Sequence, residues 1–207
     1  MKAQGFMKTV AWIDIETGGF KKNKCALLSL GIIITDKMVE VSRKEFRFKP
    51  LNTELVEQQA LDINGFTLSQ IKNFPNFIDE IKEFELFIKK YLPLCEQQNN
   101  KFYIGGQNNI DFDIPFIQMW LNRRQDSFPV KFDFNKYFHI EKQIDTKRIA
   151  QQYGHLIWKE KRPYDNKLTS MSEFYGLNTD KAHNATDDIS RTIQVYIEIC
   201  KDFTNNN

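Results

Sequence analysis

Two carboxylates spaced two residues apart are the first chemistry this sequence offers: Asp14 and Glu16, in the run Trp12-Ile13-Asp14-Ile15-Glu16. On an extended strand alternate side chains share a face, so Asp14 and Glu16 project together while Ile13 and Ile15 point the other way. Their Cα atoms would lie about 6.6 Å apart, which lets both carboxylates converge on one metal ion. Acids at the end of an apolar strand are expensive to desolvate unless a cation neutralises them. Alone the pair says little. A chain with 14 Asp and 13 Glu yields about one such spacing by chance, and two solvated acids at a strand end explain it equally well.

Two further groups add to it. Gly106-Gln107-Asn108-Asn109-Ile110-Asp111-Phe112-Asp113 reads as a strand leaving through a Gly and Asn turn into a helix, which sets Asp113 at a sheet edge. Helix capping is the plainer role for Asp111, while Asp113 can serve both the cap and the edge. Near the end, His183-Asn184-Ala185-Thr186-Asp187-Asp188 puts a histidine at a helix entrance and acids in the first turn. Asp187 has a capping-box role available, with Asn184 as the cap. Asp188 lies on the same helical side as Thr192, Val195 and Ile199, toward the core. Three histidines and 14 aspartates give about 0.2 chance matches to this spacing, so it is the more informative of the signals.

Positioning these groups requires strands first and helices after. Thr9 to Glu16, Ala26 to Thr35 and Val39 to Lys49 read as three strands, antiparallel because their connections are short. Phe77 to Tyr91 carries a helical apolar stripe that stops before Pro93. Phe102 to Gly105 is a short strand, Ile114 to Arg124 a helix, Asp145 to Tyr153 and Leu168 to Tyr175 short helices, and the last helix begins near Ala185. Between them, His155 to Asn166 reads as a polar, basic loop. The pattern predicts a mixed α/β sheet with helices packed on it.

Composition narrows the class. The 207 residues carry 29 basic and 27 acidic side chains, a net charge of +2, which excludes a polycationic nucleic-acid coat and an acidic tail. They form one expected domain over 1–207, its core about 9–201 and its ends frayed. Hydrophobic residues make up 41% and Phe alone numbers 18, enough to fill a sizeable core. No apolar run approaches the ~18 residues of a membrane span, and Met1 to Phe6 lacks a signal core, so the expected location is cytoplasmic. Cys25, Cys95 and Cys200 are odd in number and unpaired in spacing, which argues against disulfides and against a structural zinc.

In their order and setting the three acidic groups resemble the motifs of the DEDDh 3′–5′ exonucleases, a ribonuclease H-like family that includes proofreading subunits, ribonuclease T and oligoribonuclease. The first motif is Trp12 to Phe20, the second Asn109 to Asp113, and the third His183 to Asp188. Weaker likenesses are Ala60 to Thr67 and Ile144 to Thr146, so the resemblance runs from about Val10 to Ile199. The family usually has Thr or Ala where Gly18 stands and often His where Gln107 stands; neither change removes a ligand.

That resemblance implies a five-stranded mixed sheet of order 3-2-1-4-5 flanked by helices. It implies two Mg²⁺ or Mn²⁺ ions on Asp14, Glu16, Asp113 and Asp188, with His183 as general base. The implied reaction is phosphodiester hydrolysis at 3′ ends of single-stranded DNA, releasing nucleoside 5′-monophosphates. An exoribonuclease with the same chemistry, and a non-catalytic polymerase-accessory module, are the alternatives. Expected substrate contacts are Thr17, Gly18, Phe20, Phe66 and Asn109; Lys21, Lys22 and Lys24 and the run Lys159 to Arg162 read first as solvated surface, with phosphate contact as the alternative. A polymerase or repair complex and a homodimer stay open as partners. Crowding of four acids also implies that neutralising Asp188 would stabilise the metal-free protein.

Overall fold

The computed structural model describes residues 8–158, 161–178 and 185–205. Five strands form one sheet: β1 (Thr9–Thr17), β2 (Leu27–Asp36), β3 (Val39–Arg47), β4 (Phe102–Gly106) and β5 (Phe138–Asp145). Their spatial order is β3-β2-β1-β4-β5, antiparallel across β1–β2–β3 and parallel across β1–β4–β5. The expected order of strands is thus the observed one.

Alternation along β1 divides the core. Ala11, Ile13 and Ile15 face α3 (Phe77–Tyr91) and α4 (Asp113–Ser127), in a layer rich in Phe that includes Phe46, Phe77, Phe84, Phe102 and Phe116. This layer absorbs much of the phenylalanine excess. Val10 and Trp12 face α8 (Ala185–Asn205), packing with Ile33, Ile189, Ile193 and Tyr196. Asp14 and Glu16 follow Trp12 in the same phase and so emerge on the α8 side. Trp12, Trp120 and Trp158 are all buried, as packing residues.

Gly31 sets how near α8 can come. It lies opposite Asp14 in the β1–β2 register, and a Cβ there would sit 2.9 Å from the Cβ of Ala185. Only a residue without a side chain lets the first turn of α8 rest on the sheet beside Asp14.

Several elements differ from expectation. The edge strand β5 carries no clear strand signal in the sequence, and α1 (Gln58–Asn64), α2 (Leu68–Lys72), α5 (Phe134–Tyr137) and the 3₁₀ segment Leu92–Gln98 add turns of helix between the predicted elements. The helix α6 (Thr146–Ile157) runs one turn past Tyr153, into the stretch expected to be loop. Its Gly154 does not end it, because the Trp158 ring packs where a Cβ would lie, and the buried Trp158 extends the apolar face. The loop proper is the shorter stretch before α7 (Leu168–Phe174).

Asp111 is not a cap: α4 opens on Asp113 with no side-chain cap bond, and Asp111 pairs with Arg148 at 2.6 Å instead. No helix among the described residues is long and apolar enough to cross a membrane.

Candidate active site

The carboxylates gather at one end of the sheet. Oxygens of Asp14, Glu16 and Asp188 lie within 4.8 Å of one another. Asp113, 4% exposed, enters at the N-terminus of α4, and its Oδ1 accepts the backbone N–H of Ile15 at 3.1 Å. The four acids of the three motifs therefore share one cleft, three converging and the fourth bonded to the strand between the first two. His183 and Asn184 lie outside the described residues, as do Lys159 and Glu160.

Burial and mutual repulsion show in the protonation of the cluster. Desolvation first, then the charges of Asp113, Glu16 and Asp188, hold the Asp14 carboxyl well above the usual carboxylate range, with Arg191 opposing. Desolvation, then Asp188 and Asp113, push Glu16 up to about 8. Desolvation raises Asp113 to about 7 against the lowering effect of its backbone hydrogen bonds. An all-oxygen, desolvated, mutually repelling donor set fits a hard divalent cation, which would relieve both penalties at once.

Sequence reasoning missed one charge inside this cluster. Arg191, 8% exposed and one turn after Asp188, places its Nη2 on Asp188 Oδ1, while its Nε and Nη1 are enclosed. A cation on a helix normally reads as solvated surface; only the tertiary packing turns this one inward.

The loop of the second motif is held by Asp145, the N-cap of α6. Its Oδ1 accepts from Asn108 N–H at 3.0 Å and from Arg148 N–H at 3.1 Å, and its Oδ2 from Ile110 N–H at 3.2 Å. Asn108 takes the turn at φ +64°, a conformation that Asn tolerates. Asn109 is fully buried, and both polar atoms of its amide are enclosed without a hydrogen-bond partner.

Beside Glu16 lies a pocket of about 180 Å³ lined by Ile15, Thr17, Gly19, Phe20, Ile63, Asn64 and Phe112 among others. Phe20 is 77% exposed and meets the Phe112 ring edge-on at 6.1 Å. Thr17 lines the pocket and donates its hydroxyl to Gly19 O at 2.9 Å. Gly18 serves packing: its position is filled to within 2.6 Å of a would-be Cβ by Leu55 O, and its backbone pairs with Ala26 and Glu57. Phe66 is turned away, packed on Phe74 at 5.3 Å; Ile63, one turn earlier and half exposed, takes the apolar place in the pocket.

Two arginines of α4 fix the pocket's flanks. Arg123 donates to the carbonyl oxygens of Lys22 and Cys25, pinning the segment that carries Phe20. Arg124, 1% exposed, donates to Lys49 O and to both oxygens of Glu54, holding the stretch that leads into α1. Lys22 donates to Asp111 O, tying the first motif to the second.

With this geometry in view, likeness to known proteins gives the class. The family model RNase T, described as an exonuclease, matches residues 11–196. No curated protein matches the sequence. Among solved structures, the zinc-bound Escherichia coli exonuclease I–ssDNA complex is similar at a TM-score of 0.76 and 18% identity, over 97% of this chain and 42% of that one. E. coli exonuclease I with a dA16 oligonucleotide gives 0.75 and 18%, over 96% and 42%. The moderately thermophilic exonuclease I of Methylocaldum szegediense gives 0.73 and 20%, over 96% and 42%. The chain thus spans about two fifths of the length of those structures, and at these identities the likeness is one of fold. Because the family model covers nearly all of the described sheet and helices, and the strand order is the same, the chain belongs to the RNase T family of exonucleases, with the ribonuclease H-like fold of the DEDDh 3′–5′ exonucleases.

Proposed function

We propose that this chain removes nucleotides one at a time from the 3′ end of single-stranded DNA, releasing nucleoside 5′-monophosphates. The observation that carries the reading is the convergence of Asp14, Glu16 and Asp188 within 4.8 Å, beside a pocket with an exposed aromatic wall. Asp14, Glu16 and Asp188 would hold Mg²⁺ or Mn²⁺, with Asp113 completing the set. Two such ions, when bound, would offset the carboxylate charge and stabilise the attacking and leaving oxygens. His183 takes the proton from the attacking water; its unperturbed pKa near neutrality suits that task. Phe20, Phe112 and Ile63 grip the terminal base, and base–aromatic stacking of ~1–3 kcal/mol requires no particular base.

DNA is favoured over RNA because the similar solved structures hold single-stranded DNA. Digestion of 5′-labelled single-stranded DNA, duplex DNA and RNA in parallel, with Mg²⁺, Mn²⁺ or EDTA, tests the whole reading. The expected result is a ladder shortening from the 3′ end of single-stranded DNA and no cleavage in EDTA. Cleavage of a circular single strand would contradict exonuclease action, and faster loss of RNA would move the substrate to the ribonuclease side.

A further inference from the structure

The most exposed aromatic side chain of the described residues lies outside the catalytic pocket. Tyr164 is 97% exposed, on the loop Lys161-Arg162-Pro163-Tyr164-Asp165-Asn166-Lys167. Lys161, Arg162 and Lys167 are also exposed. The loop is nevertheless well anchored. Pro163 is buried, Asp165 accepts from Lys167 N–H at 2.9 Å and bonds the Ser170 side chain, and Asn166 O accepts from Gln107 Nε2 at 2.8 Å.

The anchor gives the loop its address. Gln107 directly follows Gly106, the last residue of β4, and is also bonded by Thr146 Oγ1. Because β4 runs parallel to β1, its final residue lies at the same end of the sheet as Asp14 and Glu16. Tyr164 is therefore presented at the catalytic end, on the β4–β5 side, whereas Phe20 extends from β1.

We propose that this loop is a second binding site for the single strand, with Tyr164 stacking on a base upstream of the scissile bond and Arg162, Lys161 and Lys167 meeting its phosphates. The inference rests on the substrate reading above and extends it beyond the terminal nucleotide. An aromatic ring fully in water on an anchored loop contributes nothing to the core. Its face suits any base, and cations beside it match the backbone charge. Of the three, Lys167 is partly engaged by Asp165 at 3.3 Å, which leaves Lys161 and Arg162 as the main phosphate contacts.

Fluorescence anisotropy of 5′-labelled oligo(dT) in EDTA, where no cleavage occurs, tests it on the full chain. Tyr164→Ala is expected to weaken binding of a 15-nucleotide strand about 5- to 150-fold, the loss of one base stack, and to change a trinucleotide less than about twofold. Tyr164→Phe restores the long-strand affinity. The double variant K161A/R162A lowers the slope of log K against log salt by about 1.4 for the long strand. Equal affinity of wild type and Tyr164→Ala for the 15-mer overturns the proposal. So does an equal loss on the trinucleotide, which would place Tyr164 in the terminal pocket. A wild type that binds neither strand in EDTA and does not shorten single-stranded DNA in Mn²⁺ overturns the substrate reading itself, and a thermal melt of each variant separates these outcomes from misfolding.

Discussion

Asp113 Oδ1 accepts the backbone N–H of Ile15 at 3.1 Å, so the acid of the second motif is bonded to the strand between the two acids of the first. One side chain thereby belongs to the cluster and sets the position of the strand that carries it. Asp113→Asn keeps an acceptor for Ile15 and removes the charge; Asp113→Ala removes both. Both variants are expected to lose nuclease activity. In EDTA the Ala variant should be less stable than the Asn variant by about 1–2 kcal/mol, the cost of leaving a buried N–H unpaired. Equal melting temperatures for the two would show that the bond to Ile15 contributes nothing.

The pH dependence of the metal-free protein follows from the raised carboxyls. Asp14, Glu16 and Asp113 all titrate higher in the folded chain than unfolded, with Glu16 near 8 and Asp113 near 7. The native state then binds more protons than the unfolded chain, so stability falls as pH rises from about 4.5 through 8, by up to about 1.4 kcal/mol per pH unit for each extra proton held. Melts in EDTA should show this fall, and Glu16→Gln should flatten it. Millimolar Mn²⁺ should restore stability at high pH, by about 2.7 kcal/mol at a hundred times its Kd, or roughly 5–10 °C. A metal-free protein that gains stability between pH 5 and 8 would remove the cluster's repulsion from the account.

Much of this is legible in residue order. Alternation on β1 gives the shared face of Asp14 and Glu16, and the stripe through Ile189 and Ile193 gives α8 and the inward side of Asp188. The strand β5 is not legible because Phe138–Asp145 lies at the sheet edge and lacks a clean apolar alternation, with Glu141 and Lys142 exposed in its middle. Phe66 reads as a wedge because motif likeness fixes position along the chain, whereas the left-handed turn at Gly65 and the Phe74 ring decide which way it faces. Asp145 stands out in the sequence only as a weak likeness. Its three backbone bonds to two separate segments are a property of the folded loop, with no periodic trace.

His183 carries the proton-transfer role in the proposed reaction. His183→Ala should lower kcat ~10²–10⁴-fold at pH 7 while the Mn²⁺-induced rise in melting temperature persists. Asp14→Ala should abolish activity and shrink the Mn²⁺ shift. Near wild-type turnover in His183→Ala would leave the base elsewhere.

The buried pair Arg124–Glu54 tests how far the pocket depends on its flank. Arg124 Nη2 lies 2.6 Å from Glu54 Oε2, with the two side chains 1% and 4% exposed. Arg124→Met should destabilise the protein by about 3 kcal/mol, the lower end for breaking a buried pair, because Glu54 keeps only the Leu51 N–H at 3.0 Å and the more distant Arg123 at 3.9 Å. Adding Glu54→Leu should recover most of that loss, since an apolar pair of similar volume avoids both desolvation penalties. If the double variant is no more stable than Arg124→Met, the bonds from Arg124 to Lys49 O and its packing on Trp120, not the ion pair, hold the segment.

Arg191 changes the expected behaviour of Asp188. Counting acids alone, neutralising Asp188 should relieve repulsion and stabilise the metal-free chain. The structure instead gives Asp188 a largely buried guanidinium partner, the two side chains being 19% and 10% exposed. Asp188→Asn removes one repelling charge but leaves Arg191, whose Nε and Nη1 are already enclosed, with a neutral acceptor in place of its bonded counter-charge. The second effect dominates, because an enclosed guanidinium loses the carboxylate bonded to it and keeps only the field of Asp14, whereas relief of repulsion is shared among acids that can take up protons. In EDTA at pH 7, Asp188→Asn should therefore be less stable than wild type by on the order of 2 kcal/mol. This is below the ~3–5 kcal/mol of a fully buried pair, since Asp188 also repels Asp14 and Glu16. Arg191→Met should be less stable than wild type as well, because the acids lose their internal counter-charge, and its Mn²⁺ shift should be larger. The double variant should be less destabilised than the sum of the singles, the signature of a coupled pair. Additive losses across the thermal melts would show that Arg191 and Asp188 act independently and that the guanidinium is a packing group alone.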